Sequence, residues 1–124
     1  MQGAIVRGIR GAIDVSANDA EEIVESTKEL LGEMTAKNEV EQEDICAVYF
    51  TMTTDLNAVY PALAARQMGW KNVPLLCSVE ISVPGSLPRC IRVLMLVNTS
   101  KKPEEIRHIY LKGAVSLRED LMEQ

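Results

Sequence analysis

Residues 90–97, CIRVLMLV, restrict the fold more than any other segment of this sequence. Successive side chains of a β-strand point to opposite faces, so this segment places apolar residues on both faces. Arg92 is the exception, because a guanidinium cannot lose its charge and is almost never fully buried without a partner. The segment therefore predicts a strand that is apolar on both faces and carries one arginine whose purpose the rest of the chain must explain.

The remaining patterns indicate an α/β (α+β) fold with a mixed β-sheet. Strands are predicted at 4–10, with 12–15 extending it or pairing with it, and at 45–52, 73–83 and 90–98. Helices are predicted at 18–38, at 53–68 before Gly69, and at 103–112 between Pro103 and Gly113. Asn18 is the expected N-cap of the first helix, with Glu21 three residues later. We expect one domain spanning residues 1–124.

Composition excludes several classes of function. The net charge of −5 argues against a general affinity for nucleic acid or for an anionic membrane surface. No apolar run approaches the ~20 residues of a transmembrane helix, and arginines interrupt the N-terminal apolar stretch where a signal peptide would need continuity. The three cysteines form no C-x-x-C motif, which fits free thiols in a reducing compartment. These features predict a cytoplasmic protein.

The common catalytic constellations are missing from the sequence. His108 is the only histidine, so it has no partner for a triad or a histidine-based metal site, and we expect a surface or interface side chain on the last helix. Cys46 and Cys90 lie in apolar strands and are expected to be small buried hydrophobes. GIRG, residues 8–11, is expected to provide strand glycines that allow close approach of another backbone or of a ligand. No metal and no cofactor is predicted.

Four charged residues interrupt apolar surroundings: Arg10, Arg66, Glu80 and Arg92. Glu80 and Arg92 could form a structural ion pair across adjacent strands, although such pairs are weak evidence for stability. Alternatively, the cluster forms a rigid binding site. Guanidinium groups bind carboxylates bidentately, and a carboxylate can accept a hydroxyl proton. The set therefore suits a small dicarboxylate that carries a hydroxyl group.

Six motifs in order resemble the AroH-type chorismate mutases. They are RGIRGA (7–12), TDLNAVYPALAAR (54–66), GW (69–70), VPLLCSVEI (73–81), GSLPRCIRVL (85–94) and IRHIYL (106–111). The match extends from Arg7 to about Arg118. The resemblance implies a cofactor-free isomerase that converts chorismate to prephenate in phenylalanine and tyrosine biosynthesis. It also implies a homotrimeric pseudo-barrel with helices on one side of the sheet and active sites at the subunit interfaces.

The same resemblance assigns roles to individual residues. Arg10 should bind one substrate carboxylate, and Arg66 should lie near the other at the site entrance. Cys77 and Glu80 should meet the ring hydroxyl. Arg92 should donate to the ether oxygen, and Tyr110 should bond at the carboxylate and ether side. The pocket lining matches Tyr60, Leu75, Leu76 and Leu117.

Spacing adds one geometric expectation. Cys77 and Glu80 are three residues apart, so on a regular strand they face opposite sides of the sheet. Both can serve one ligand only across a subunit boundary, or if the strand bulges.

Two other functions would use the same charged cluster. One is a trimeric module that binds a carboxylate without chemistry, and the other is a small imine or enamine hydrolase. Neither explains six ordered motifs.

Overall fold

The computed structural model describes residues 3–117, which form one five-stranded mixed sheet with helices against one face. The strands are β1 (Ile5–Asp14), β2 (Ile45–Met52), β3 (Leu75–Val79), β4 (Cys90–Thr99) and β5 (Ile109–Leu111). The α-helices are α1 (Ala20–Lys37) and α2 (Ala62–Gln67). Short 3₁₀ helices span Gln42–Asp44, Pro103–Glu105 and Lys112–Ala114. The acidic tail after Leu117 lies outside the described residues.

The strand order is β3-β2-β4-β1-β5, with the segment CIRVLMLV on the central strand β4. β4 runs antiparallel to both β1 and β2, whereas β3 is parallel to β2 and β5 is parallel to β1. The sheet is therefore mixed, as predicted. The strand predicted at 45–52 is confirmed at both ends, and the two predicted pieces at 4–10 and 12–15 are one continuous strand.

The hydrophobic core lies between the sheet and the two α-helices. On β4 alternate side chains are fully or almost fully buried, among them Ile91 and Met95, and α1 contributes Leu30 and Met34. Gly11 of β1 lies directly under α1, where an added Cβ would come 2.5 Å from the sulfur of Met34. At Gly11 the close approach is made by the side chains of Met34 and Leu30 from α1, and not by another backbone.

The N-cap prediction for α1 was wrong by one residue. Asp19 caps the helix, with its Oδ2 accepting a 2.9 Å hydrogen bond from the backbone N–H of Glu22. Either side chain is a good cap in principle, because both carry an oxygen that can accept from the first turn. Asn18 instead turns away from the helix and bonds the segment around Asn57.

The helix predicted over 53–68 is wrong in its first half, because only Ala62–Gln67 is helical. Asp55 accepts hydrogen bonds from the backbone N–H of Arg89 and from the hydroxyl of Thr53. These bonds hold the chain before α2 in a non-helical conformation. Polar side chains of this kind compete with helix formation. Gly69 ends the helix with a positive φ of 86°, as predicted.

The helix predicted at 103–112 was also wrong. Only Pro103–Glu105 is helical, in a 3₁₀ turn, and Ile109–Leu111 forms the edge strand β5. Asn38 holds the connection by bonding both the N–H and the carbonyl oxygen of Arg107 at 2.8 Å. Pairing with the free edge of β1 satisfies backbone groups that an isolated short helix would leave to solvent. The strand predicted at 73–83 is shorter, Leu75–Val79.

Among residues 3–117 no helix is long and apolar enough to cross a membrane.

Candidate active site

One row of residues crosses all five strands on the face of the sheet that the helices leave open. In order from β3 to β5 the row is Ser78, Thr51, Arg92, Ala12 and Tyr110. Arg10 lies two residues before Ala12 on the same strand, and therefore on the same face. Three side chains singled out in the sequence, Arg10, Arg92 and Tyr110, thus meet on neighbouring strands.

Tyr110 is half-buried beside both arginines. Burial raises the pKa of its phenol, while the positive charges of Arg10 and Arg92 act in the opposite direction. The phenol therefore stays protonated at neutral pH and can donate a hydrogen bond. Two cations and one neutral donor in this arrangement can bind an anionic ligand.

Glu80 completes the cluster from the end of β3. Its Oε1 lies 3.3 Å from Nη1 of Arg92, and its Oε2 accepts a long, 3.4 Å hydrogen bond from the hydroxyl of Thr51. The ion pair is therefore present, but the strands are not adjacent as predicted, because β2 lies between them. The Arg92 side chain is 50% exposed, so the pair contributes little to stability.

The strand alternation places Cys77 on the other face of the sheet from Glu80. Cys77 packs against the helix-covered core, and its thiol pKa is raised mainly by burial. Glu80 is the residue directly after the end of β3. Its N–H donates to the carbonyl oxygen of Met52 at 2.9 Å, and its side chain reaches the open face. Within one chain, these two residues do not face a common ligand.

Other predicted site residues gather at the β3 edge with Cys77. Tyr60 and Cys77 line a cavity of about 510 Å³, and Tyr60 is 68% exposed. Arg66 and Leu75 line a neighbouring cavity of about 370 Å³ together with Trp70 and Lys71. Arg66 comes from α2, as predicted for a residue late in the second helix.

Two predicted pocket residues lie apart from these cavities. Leu76 points to the open face and is 59% exposed. Leu117 packs on the small apolar cluster of Ala12, Cys90 and Ala114, beside Tyr110.

His108 is not on a helix. It precedes β5, and its Nδ1 accepts a 2.9 Å hydrogen bond from the backbone N–H of Arg10. Burial and, to a smaller extent, the Arg10 charge lower its pKa. The histidine therefore contacts the candidate site through the main chain of a site residue.

Thr51 and Cys90 belong to this neighbourhood, and the sequence did not identify either as a site residue. Thr51 is the polar residue inside the apolar run ICAVYFTM, a signal that could have been noticed. Cys90 was expected to be a small buried hydrophobe, and it is 3% exposed with its thiol pKa raised by burial to about 11. Among residues 3–117 no three His, Cys, Asp or Glu side chains are grouped as a metal site requires.

The fold and the open face together define a class: small proteins with a mixed sheet whose uncovered face carries an arginine-based site for an anion. Comparison with known proteins identifies the family. Residues 6–121 match the sequence model of chorismate mutase type I. The chain therefore belongs to the type I chorismate mutases, isomerases that convert chorismate to prephenate on the route to phenylalanine and tyrosine.

Individual relatives agree with this assignment. The chain is 52% identical over 118 residues to chorismate mutase AroH of Thermus thermophilus, covering 94% of this chain and 97% of the relative. It is 44% identical to chorismate mutase AroH of Bacillus subtilis, over 94% of this chain and 93% of that protein. A solved chorismate mutase from Clostridium thermocellum superimposes with a TM-score of 0.88 at 54% identity, covering 89% of this chain and 98% of the other.

Proposed function

We propose that chorismate is bound between two subunits of a homotrimer, each of which contributes a different half of the site. The open-face half consists of Arg10, Glu80, Arg92, Tyr110 and Leu117. The edge half, from the neighbouring subunit, consists of Tyr60, Arg66, Leu75 and Cys77, while Leu76 lies on the open face of the edge strand β3. The observation that carries this proposal is the placement of Glu80 and Cys77 on opposite faces of one sheet.

Exposed apolar side chains on the open face support an interface there. Val6, Tyr49 and Leu94 are 54%, 42% and 39% exposed on this face, and Leu76 lies beside them. Leu76, Tyr49 and Leu94 are direct neighbours on β3, β2 and β4, and exposed apolar side chains grouped in this way are typical of a protein–protein interface. Packing against another subunit would bury it and would also exclude water from Arg92.

The reaction is an intramolecular Claisen rearrangement, in which one C–O bond breaks and one C–C bond forms. It requires neither proton transfer nor a covalent intermediate. The enolpyruvyl side chain must fold over the ring into a chair-like conformation. Arg10 and Arg66, each holding one carboxylate, would fix that conformation and so supply the orientation part of the rate enhancement. Tyr110 would donate its phenol proton at the carboxylate and ether side.

The electrostatic part of catalysis is assigned to Arg92. Negative charge builds on the ether oxygen as the C–O bond lengthens, while the ring becomes electron-poor. A fixed guanidinium at that oxygen binds the transition state more strongly than the ground state, which is the condition for acceleration. Glu80 holds Arg92 in place, would accept the ring hydroxyl with Cys77 nearby, and would stabilise the positive charge on the ring.

The proposal also covers the domain organisation, cofactor requirement and compartment of the enzyme. Residues 1–124 would form one catalytic domain that needs no cofactor, because the arginines of the site supply the positive charge that stabilises the transition state. The cysteines Cys46, Cys77 and Cys90 are free thiols. Free thiols suit the reducing cytoplasm, where we propose that the enzyme acts.

Subunit mixing tests the shared site. An Arg92→Leu chain and an Arg66→Ala chain, each inactive alone, are co-expressed with different tags, and mixed trimers are isolated by tandem purification. In a cyclic trimer each mixed molecule has one interface with both halves intact, so kcat should recover to about one third of wild type. Mixed trimers with no recovered activity would overturn the proposal, and an Arg92→Leu, Arg66→Ala double mutant mixed with wild type provides the matched control.

A further inference from the structure

Asn18 makes an arrangement of hydrogen bonds that the catalytic assignment does not use. Its Oδ1 accepts from two consecutive backbone N–H groups, those of Asn57 and Ala58, both at 3.0 Å. Its Nδ2 donates to the side-chain oxygen of Asn57 at 2.8 Å. One side chain thus fixes a peptide plane and the side chain next to it, 39 residues along the chain.

The segment that Asn18 holds is the wall of a cavity. Residues 53–61 form neither helix nor strand, and Asn57, Ala58, Val59, Tyr60 and Pro61 line the cavity of about 510 Å³ that also contains Cys77. The start of the segment is held separately, by the bonds from Arg89 and Thr53 to Asp55. Between Asp55 and α2, the bonds from Asn18 are the side-chain bonds that hold the main chain.

We propose that Asn18 is a positioning residue for substrate binding, which holds residues 57–58 so that Tyr60 forms the wall of the pocket. The inference rests on the proposed function, because it requires Tyr60 to line the chorismate site. It concerns a contact made through the main chain, and Asn18 itself does not touch the substrate.

The expected effect is on binding and not on the chemical step. Without Asn18 the segment samples more conformations, and ordering it on binding costs free energy that substrate contacts must offset. Tyr60 would contact ground state and transition state alike, so the loss raises KM and leaves kcat unchanged. The bonds are exposed, so their removal has little effect on the fold.

Three variants separate this role from a structural one. Asn18→Ala should raise KM for chorismate about tenfold, with kcat within about twofold of wild type. Asn18→Asp keeps an oxygen that accepts from both N–H groups, and the Asn57 amide can turn to donate to it, so KM should return to near the wild-type value. Asp19→Ala, which removes the neighbouring helix cap, should lower the melting temperature without changing KM.

Tyr60→Ala distinguishes failure of this inference from failure of the assigned pocket. If Tyr60→Ala raises KM while Asn18→Ala leaves it unchanged, the positioning role is wrong and the assigned pocket stands. If Tyr60→Ala leaves KM unchanged, this wall is not part of the pocket, and both assignments are wrong. An Asn18→Asp variant with the same raised KM as Asn18→Ala would also overturn the role, because the acceptor geometry would then not matter.

Discussion

Arg92 and Glu80 form an ion pair although a complete strand lies between the strands that carry them. Nη1 of Arg92 and Oε1 of Glu80 are 3.3 Å apart, and Thr51 of the intervening β2 donates to the other carboxylate oxygen. The carboxylate therefore reaches over a small residue to orient the guanidinium. Half of the Arg92 side chain remains exposed on the open face, so the pair holds the cation without removing it from a ligand.

This arrangement predicts the effect of Arg92→Lys. Lysine keeps the charge but replaces a planar fork with a shorter, flexible point charge, so it cannot present the same donor to the ether oxygen. We expect kcat to fall by roughly 10²–10³ or more, as for the loss of one transition-state donor elsewhere. The measurement is the loss of chorismate absorbance without added cofactor, together with the melting temperature, which should be unchanged because Arg92 is half-exposed.

Arg7→Lys is the matched control for that variant. Arg7 lies on β1, which pairs with β4. Its Nε donates to the backbone carbonyl oxygen of Lys101, and the residue lies outside the open-face cluster. We expect its kcat to stay within about twofold of wild type. Near-normal activity in Arg92→Lys would remove the assigned role of Arg92.

The two glycines Gly11 and Gly32 should respond to alanine in opposite directions. An alanine at position 11 would place its Cβ 2.5 Å from the sulfur of Met34 and 3.1 Å from Leu30 Cδ1, so the helix must shift, at a cost of roughly 1–3 kcal/mol. At Gly32, inside α1, nothing lies within 4 Å of an added Cβ, and alanine favours the helix by up to ~1 kcal/mol.

Urea unfolding at one fixed protein concentration measures both free energies of unfolding, since oligomer stability depends on concentration. The urea midpoint should be highest for Gly32→Ala, intermediate for the wild type and lowest for Gly11→Ala. Equal midpoints for Gly11→Ala and wild type would mean that α1 does not press on β1 as described.

The single histidine predicts how stability depends on pH. Burial, with the Arg10 charge, lowers the pKa of His108 below its ordinary value of 6.5 in the folded chain. The unfolded chain then binds the proton more readily than the folded chain. The contribution of His108 to the free energy of unfolding is therefore fully present above pH 6.5 and is lost as the pH falls through the folded-state pKa. Protonation of Nδ1 would also remove the acceptor for the N–H of Arg10.

His108→Asn tests this dependence, because asparagine offers an acceptor that does not titrate in this range. Between pH 7 and about pH 5 the melting temperature of the wild type should fall more than that of the variant. The carboxylates with lowered pKa values, Glu22, Glu39 and Asp55, titrate below their ordinary values of 3.8–4.5 and so act at more acidic pH. Parallel curves for wild type and variant would contradict the assignment.

The sequence predicted the elements whose hydrophobic pattern is long and regular. β2 and β4 were found within one residue because continuous apolar runs bounded by polar residues leave little choice. β5 was missed since Pro103 and two glutamates give a strong helix-start signal, whereas three residues of edge strand give almost none. The deciding interaction is the pairing of Tyr110 with Ala12, a contact 98 residues apart that no local pattern contains.

Charges in unexpected places indicated a possible site, and the resemblance to a known family assigned its residues, whereas residues that act through the backbone escaped both. Arg92 and Glu80 interrupt apolar strands, so each is visible in the sequence. Asn18 and His108 are ordinary polar residues in ordinary places, and their partners lie 39 and 98 positions away. Only the folded chain brings His108 to the main chain of Arg10, and Asn18 to the main chain of Asn57 and Ala58.

Cys90 should be the least reactive of the thiols in the folded protein. It is 3% exposed, and burial raises its pKa to about 11 despite the opposing charge of Arg92. Since the thiolate is the nucleophile, a rise of this size alone lowers the reactive fraction at pH 8 by roughly 100-fold. Timed reaction with a coloured disulfide reagent, before and after denaturation, should show one slow thiol that Cys90→Ala removes. Rapid labelling of Cys90 in the folded protein would contradict its burial in the small apolar cluster with Ala12 and Ala114.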